Sequence, residues 1–387
     1  MSRSKRRNQN QAKNATPPHK VDKKANQTAA TQVQAPSAVS VPAEISQRLA
    51  YADAVVAQIA DGAGHTTPVT AAQFGHFVKD HYSKLFHPWA LDFQEYQSQH
   101  VMAEVVDKLK AGLDELSCHY IDHHIKIMTM ASLGGDVLFK NDTLRTPEDF
   151  RLIARTQEAV AQGQPPFLKQ VNLEWSSSYV GRYGMYDLPP AVLQRVNGKA
   201  VIDGGGFIGD TLMLFRDLFP QSIKYSFEPA QGSYDYMCNL LKDDIAQGTL
   251  KAFHQALGSK AGQLRLSMPM VGGINAASST RYDYHQEGLY EDVEMVCIDD
   301  VVAQHGLEVG LIKLDVEGAE PDIIQGALNT IKEQKPLLVI AFYHQPDEFY
   351  ELKPFLESLN LGYKFMVRRS AISTPISDAV LIAYQDA

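Results

Sequence analysis

A chain of 387 residues, 21% charged and 44% hydrophobic, has the composition of a globular protein with room for about two average domains, which excludes a disordered or fibrous chain. Its charge is uneven: residues 1–43 hold eight Lys/Arg against the single acid Asp22, leaving 28 basic and 44 acidic residues, a net −16, on the remainder. A body that acidic repels phosphate backbones and disfavours a nucleic-acid substrate.

In chain order, residues 1–43 run from Arg3, Lys5, Arg6 and Arg7 through Pro17, Pro18, Lys23 and Lys24. They hold too little apolar surface to offset the entropy of ordering. A disordered basic tail is expected, either solubilising or tethering the chain to an acidic partner or surface. Gln, Asn, Ala and Thr follow the basic residues where a secretory signal would carry an apolar core, and no run of about 18 apolar residues occurs. Neither a secretory signal nor a transmembrane segment is expected. Residues 44–169 form a mostly helical accessory region by apolar spacing, with Phe77, Tyr82, Leu85 and Phe86 on one face and Val101, Val105, Leu109, Leu113 and Leu116 on another. Within it His119 and His123, four apart beside Cys118, Asp122 and His124, have zinc-compatible spacing but lack the glutamate of H-E-x-x-H; ordinary surface or packed histidines are the other reading.

Pro165-Pro166 break the helical pattern, and Val171–Tyr186, rich in Trp, Tyr, Ser and Gly, predicts a loop or short strands. Its Trp175, Tyr179, Tyr183 and Tyr186 offer either an aromatic floor for a sugar ring or packing at a domain junction. Asp187–Pro190 reads as a helix start. Residues 170–387 then alternate between short apolar runs and amphipathic stretches. Strands are expected at Ala200–Ile202, Ile223–Phe227, Leu250–Ala256, Leu311–Leu314, Leu337–Phe342, Lys364–Val367 and Ala379–Tyr384. Helices are expected at Thr211–Phe219, Ser233–Asp244, Glu320–Glu333 and Asp347–Leu359, with an antiparallel pair Gln263–Ser267 and Val293–Ile298 between them. This alternation implies an α/β fold with a doubly wound parallel sheet and a ligand beyond the carboxyl ends of the central strands. Three cysteines, Cys118, Cys238 and Cys297, without a Cys-x-x-Cys pair, fit a reducing, cytoplasmic setting.

The first strand end reads Asp203-Gly204-Gly205-Gly206-Phe207-Ile208-Gly209-Asp210 and the second Phe227-Glu228-Pro229. The glycines let a ligand approach the backbone at a helix entrance, and Glu228 falls 24 residues after Gly204, where dinucleotide and S-adenosylmethionine sites alike place an acid on ribose hydroxyls. Asp203 tips the balance toward S-adenosylmethionine. Beside a pyrophosphate it would cost about 1 to 4 kcal/mol per charge at roughly 4 Å, whereas a sulfonium and an ammonium attract it. The other reading of Asp203 is a helix cap.

The fourth strand ends in Lys313-Leu314-Asp315-Val316-Glu317-Gly318-Ala319-Glu320. This string closely resembles the signature of the FkbM-type class I S-adenosylmethionine-dependent methyltransferases. The glycine loop, Phe227-Glu228-Pro229, Ala256-Leu257-Gly258, Ile298-Asp299-Asp300, Lys335-Pro336 and the polar residues Asn275 and Ser278 are similar in the same order, over roughly residues 175–345. The resemblance implies a seven-stranded Rossmann-like methyltransferase sheet and methyl transfer to an oxygen, commonly a hydroxyl of a sugar, glycan or polyketide. It also implies that Asp203, Gly204, Gly205 and Gly206 hold the methionyl part of the donor and Glu228 its ribose. Gly206 departs from the alanine frequent in the family, and the helical region and tail lie outside the shared domain.

A hydroxyl is a poor nucleophile at neutral pH, so transfer needs in-line alignment and a proton acceptor. Asp315 and Glu317, joined by His344 after the next strand, are the expected catalytic residues. They act as a base or as ligands of a divalent cation that acidifies the hydroxyl, an aid the sequence does not require. Glu320 reads as a helix-terminal residue before Pro321. The competing functions are an NAD-linked sugar epimerase or dehydrogenase and a non-catalytic carbohydrate-binding module.

Overall fold

The computed structural model describes residues 82–84, 89–132, 138–140, 145–163, 165–169, 173–268, 289–372 and 378–386. The expected tail 1–43, and Phe77, Leu85, Phe86, Asn275 and Ser278, lie outside them. Two short strands, β1 (Tyr82–Lys84) and β2 (Leu138–Lys140), pair antiparallel. Tyr82 therefore belongs to a strand, not to the expected helix. The helices of this part run Ala90–Gln99, Met102–Lys110, Glu115–Ser132 and Pro147–Gln162.

The main sheet is built from β3 (Ala200–Gly204), β4 (Lys224–Phe227), β5 (Leu250–Phe253), β9 (Val309–Leu314), β10 (Leu337–Ala341), β11 (Lys364–Arg369) and β12 (Ala379–Tyr384). Their spatial order is β11-β12-β10-β9-β3-β4-β5. The five central and edge strands from β10 to β5 run parallel, and β12 runs antiparallel to both β10 and β11. The expected doubly wound, seven-stranded Rossmann-like sheet is thus present, and its winding reverses between β3 and β9. That reversal opens the crevice outside the carboxyl ends of these strands. Helices cover both faces, so β3, β9 and β10 are buried along their whole length and read as apolar runs, not alternations. The exceptions, Asp203 and Lys313, are register partners across β3 and β9.

A second sheet holds β6 (Ala256–Leu257), β7 (Gly262–Met268) and β8 (Leu289–Val296) in the order β6-β8-β7. The expected antiparallel pair is β7 with β8. Four boundaries differ from expectation. The run Leu250–Ala256 is interrupted after Phe253, because Ala256 and Leu257 pair with β8 instead of β4. Ile298 starts a helix, Ile298–His305. The single helix expected over Glu320–Glu333 is two, Glu320–Gln325 and Leu328–Gln334, and Ser233–Asp244 likewise divides at Leu241.

Val171–Tyr186 departs most. Leu173–Val180 is an α-helix and Arg182–Asp187 a short 3-10 segment. Its serines suit close packing: Ser176 and Ser177 are fully buried, and the Ser177 hydroxyl accepts the Ile372 amide at 3.1 Å. Tertiary contacts override weak local propensity here.

The N-terminal helices share the core of the sheet. Trp89, Phe93, Leu109, Tyr120, Ile121 and Met128 are buried in one cluster with Phe342, Phe349, Tyr350, Val367 and Leu381. Polar links reinforce the seam. The Val367 amide donates to the Ser117 hydroxyl at 2.8 Å, and Arg368 pairs with Asp114 at 2.8 Å and Asp187 at 2.7 Å. Each large apolar side chain so buried contributes about 1.5–3 kcal/mol.

Candidate active site

The glycine turn leaves β3 packed backbone to backbone against the exit of β9. The Asp315 amide donates to the Gly204 carbonyl at 3.1 Å, and the Gly205 and Gly206 amides donate to the Phe227 carbonyl at 3.0 and 3.1 Å. Gly205 has φ +76°, and a Cβ there would collide with the Asp315 carbonyl oxygen. Only glycine meets both conditions.

Beneath the turn Asp203 is fully buried. Its Oδ2 accepts the Ser226 hydroxyl at 2.7 Å, and its Oδ1 lies 3.2 Å from Lys313 Nζ. Lys313 also donates to the Gly205 carbonyl at 2.8 Å. Burial works against the Lys313 charge, but Asp203, Asp315 and Asp210 outweigh it and hold the ammonium above its usual range. Asp203 is therefore neither a free anion presented to a ligand nor a helix cap. It anchors the turn through a buried ion pair, and the charge argument drawn from it loses its force. Asp210, opening the helix Asp210–Leu218, is pushed up to about 6 by burial, against the pull of Lys313.

Glu228 stands just past β4 and is 5% exposed. Its Oε2 accepts the Phe207 amide at 2.7 Å and its Oε1 the Ala230 amide at 2.8 Å. Burial raises it to about 7 in spite of these two donors. Each carboxylate oxygen keeps a further lone pair, which suits a vicinal diol laid along the glycine turn.

The expected catalytic residues converge. His344 is fully buried after β10, with its ring nitrogens facing four carboxylates. Nε2 lies 3.7 Å from Asp315 Oδ1 and 3.8 Å from Glu317 Oε2; Nδ1 lies 3.5 Å from both Glu320 Oε1 and Glu348 Oε1. Burial disfavours an imidazolium, yet Glu317, Glu348 and Glu320 outweigh it and keep His344 protonated well above its usual range. Burial, with Asp315 and Glu320 adding to it against His344, lifts Glu317 to about 8. Glu320 and Glu348 split. Burial raises both, but His344 and the Val316 amide hold Glu320 ionised while Glu348 is driven well above the carboxylate range. Asp315 Oδ2 accepts the Tyr183 hydroxyl at 2.6 Å. Trp89 closes the far side of His344, edge to face at 5.0 Å.

Glu317 adopts φ +58°, a conformation uncommon outside glycine and typical of over-determined sites. Several participants were not singled out from the sequence: Asp210, Lys313, Glu348 and Trp89. Lys313 carried a signal, a charge inside an otherwise apolar strand. Glu348 is four residues after His344, in the first turn of the helix Pro346–Ser358. Trp89 gave none. Of the aromatic residues expected to form a floor, Tyr183 reaches Asp315, while Tyr179 donates to Asp217 at 2.5 Å and Tyr186 lies under Arg155. His119 and His123 stack at 6.0 Å, and burial lowers His123 to about 4.

Residues 201–365 match the family model described as the methyltransferase FkbM domain. Among curated proteins, the chain is 30% identical over 158 residues to methyltransferase sdnD of Sordaria araneosa, covering 33% of this chain and 59% of that one. It is 24% identical over 192 residues to methyltransferase 1 of Beauveria bassiana (strain ARSEF 2860), covering 45% and 76%. The match thus spans less than two thirds of the first relative's length. Among solved structures, methyltransferase FkbM from Methylobacillus flagellatus KT aligns with a TM-score of 0.37 at 16% identity, over 59% of this chain and 60% of that one.

Proposed function

Because residues 201–365 match the model of the methyltransferase FkbM domain, we propose that this chain moves the methyl group of S-adenosylmethionine to a hydroxyl oxygen of a sugar, glycan or similar small molecule. The observation that carries the reading is the convergence, at neighbouring strand ends, of a buried acid, Glu228, beside a glycine turn and an acid–histidine cluster. Glu228 fits the ribose, and the glycine turn at Gly204–Gly206 gives the donor close access to the backbone. Bound there, S-adenosylmethionine supplies an electrophilic methyl on a sulfonium. Asp315, Glu317 and His344 form the acceptor side. The acceptor oxygen forms a bond to the methyl carbon as the carbon–sulfur bond breaks, the electron pair stays on sulfur, and the hydroxyl proton passes to a carboxylate of Asp315 or Glu317.

Segments 44–169 and 170–387 are read as an acceptor-selecting helical region and the transferase domain, and the basic residues of 1–43 as a contact for an acidic partner or surface. No helix of the described residues is long and apolar enough to cross a membrane. The free cysteines Cys118, Cys238 and Cys297 support a cytoplasmic setting.

An NAD-linked reading keeps the glycine turn and Glu228 but gives no role to the Asp315–Glu317–His344 cluster. Calorimetry with S-adenosylhomocysteine and NAD separates the two, with tighter binding of S-adenosylhomocysteine expected; the reverse order sinks the proposal. Mass spectrometry of hydroxylated metabolites and glycans, with and without the protein, then identifies the acceptor by a gain of one methylene.

A further inference from the structure

We propose that Asp315, Glu317 and His344 form a divalent-cation site at the acceptor side, binding through Asp315 Oδ1, Glu317 Oε2 and His344 Nε2 and leaving the remaining positions to water and the acceptor's oxygens. The three ligand atoms lie within 4.8 Å of one another. The separations from Nε2, 3.7 and 3.8 Å, are too long for hydrogen bonds, which fall at about 2.7–3.2 Å. They lie within reach of two ligands of a common ion. With bonds of about 2.1 Å, ligands sit about 3.4 Å apart at a tetrahedral angle and about 3.0 Å apart at an octahedral one, so an inward shift of about 0.3 to 0.8 Å would close the set.

A second observation is independent of the acids. His344 is fully buried, and its Nε2 has no hydrogen-bond partner although it points between two carboxylates. Its Nδ1, likewise without a hydrogen-bond partner, faces Glu320 and Glu348 at 3.5 Å. Those acids are themselves held, Glu320 by the Val316 amide at 2.8 Å and Glu348 by the His344 amide at 3.2 Å. Carboxylates facing the distal nitrogen leave the proximal one directed toward the ion, which would take the place of the imidazolium proton there. Glu320, His344 and Glu348 also cluster, but Glu320 and Glu348 are fully enclosed and already occupied by amides. Asp315 and Glu317 keep side-chain exposures of 28% and 18%, so an acceptor can reach an ion bound there. One imidazole with two carboxylates suits Mn²⁺ or Zn²⁺ better than Ca²⁺.

The site stands on its own geometry; its role rests on the methyl-transfer reading. There the cation draws electron density from a coordinated acceptor hydroxyl and lowers its pKa, while the proton still leaves to a carboxylate oxygen of the pair.

The test is Mn²⁺ titration of the full-length chain, followed by electron paramagnetic resonance, with S-adenosylhomocysteine binding measured by calorimetry on the same samples. We expect one Mn²⁺ per chain, affinity reduced at least tenfold in Asp315→Asn and in Glu317→Gln, and loss in the double variant. The surface change Glu294→Gln should leave it intact. Retained S-adenosylhomocysteine binding by the double variant shows that it is folded. Absence of Mn²⁺ binding by the unaltered chain, or binding unchanged in the folded double variant, overturns the site. Failure of S-adenosylhomocysteine to bind while Mn²⁺ still does overturns the donor assignment and leaves the cation site standing.

Discussion

In the proposed donor site Glu228 serves the loop and the ligand with the same two oxygens, and this makes its substitutions informative. A carboxylate raised to about 7 in the fold but near its ordinary value when unfolded favours folding at low pH. That contribution is complete below about pH 4.5 and is lost as pH rises to about 7, on the order of 3 kcal/mol. A diol donating to the ionised form reverses the preference. Affinity for S-adenosylhomocysteine should therefore rise from pH 6 to 8, by up to about tenfold per unit below the midpoint, as followed by calorimetry. Glu228→Gln should flatten this slope and lower the thermal midpoint, since its amide group turns a donor toward either the Phe207 or the Ala230 amide, at about 1–3 kcal/mol. A retained slope would assign the titration to another group. At Asp315, replacement by Asn keeps the Tyr183 contact but removes a proton acceptor and an anionic ligand. Turnover should fall about 10²–10⁴-fold with S-adenosylhomocysteine affinity nearly intact; full activity in both Asp315→Asn and Glu317→Gln would place the chemistry elsewhere.

The glycine turn and the exit of β9 behave as one piece, because Gly205 lies against the Asp315 carbonyl. Gly205→Ala combines a positive φ with that collision. It should cost at least about 2 kcal/mol, read as a lower thermal midpoint, and weaken S-adenosylhomocysteine binding together with turnover. An unchanged variant would mean that the two segments move independently. This coupling also marks how far the sequence could be read. Strands such as Leu337–Ala341 announced themselves as apolar runs, and the order of segments was enough to place their carboxyl ends together. The partnership of Asp203 with Lys313 was hidden, since it depends on the register between β3 and β9, which are separated by more than a hundred residues. The helix Leu173–Val180 was hidden for a different reason: its serines are poor helix formers in isolation and are suited to their place only by the chain packed on them. The acids around His344 were half legible, Asp315 and Glu317 by motif, Glu348 only once a helix began at Pro346.

On the scale of the whole molecule, the helices before the family-matched segment are part of its core. Residues 1–43 lack an apolar face, so deleting them should leave the thermal midpoint unchanged within error, whereas deleting 1–169 should abolish cooperative melting by uncovering Phe349 and Tyr350. A shift of several degrees on the shorter deletion would show that those residues dock on the body. The position of β12 has a consequence for biosynthesis. This strand is made after β10 and β11 yet lies between them. Translation must proceed 38 residues from Ala341 to Ala379, about 2–8 s at ordinary elongation rates, before β10 acquires its outer neighbour. During that interval the nascent chain carries an open apolar edge, Leu337-Leu338-Val339-Ile340-Ala341, at the rim of an otherwise paired sheet. Ribosome-associated holdases that recognise such an edge would protect it, and slower decoding between residues 341 and 379 would lengthen the time during which nascent chains can associate with one another.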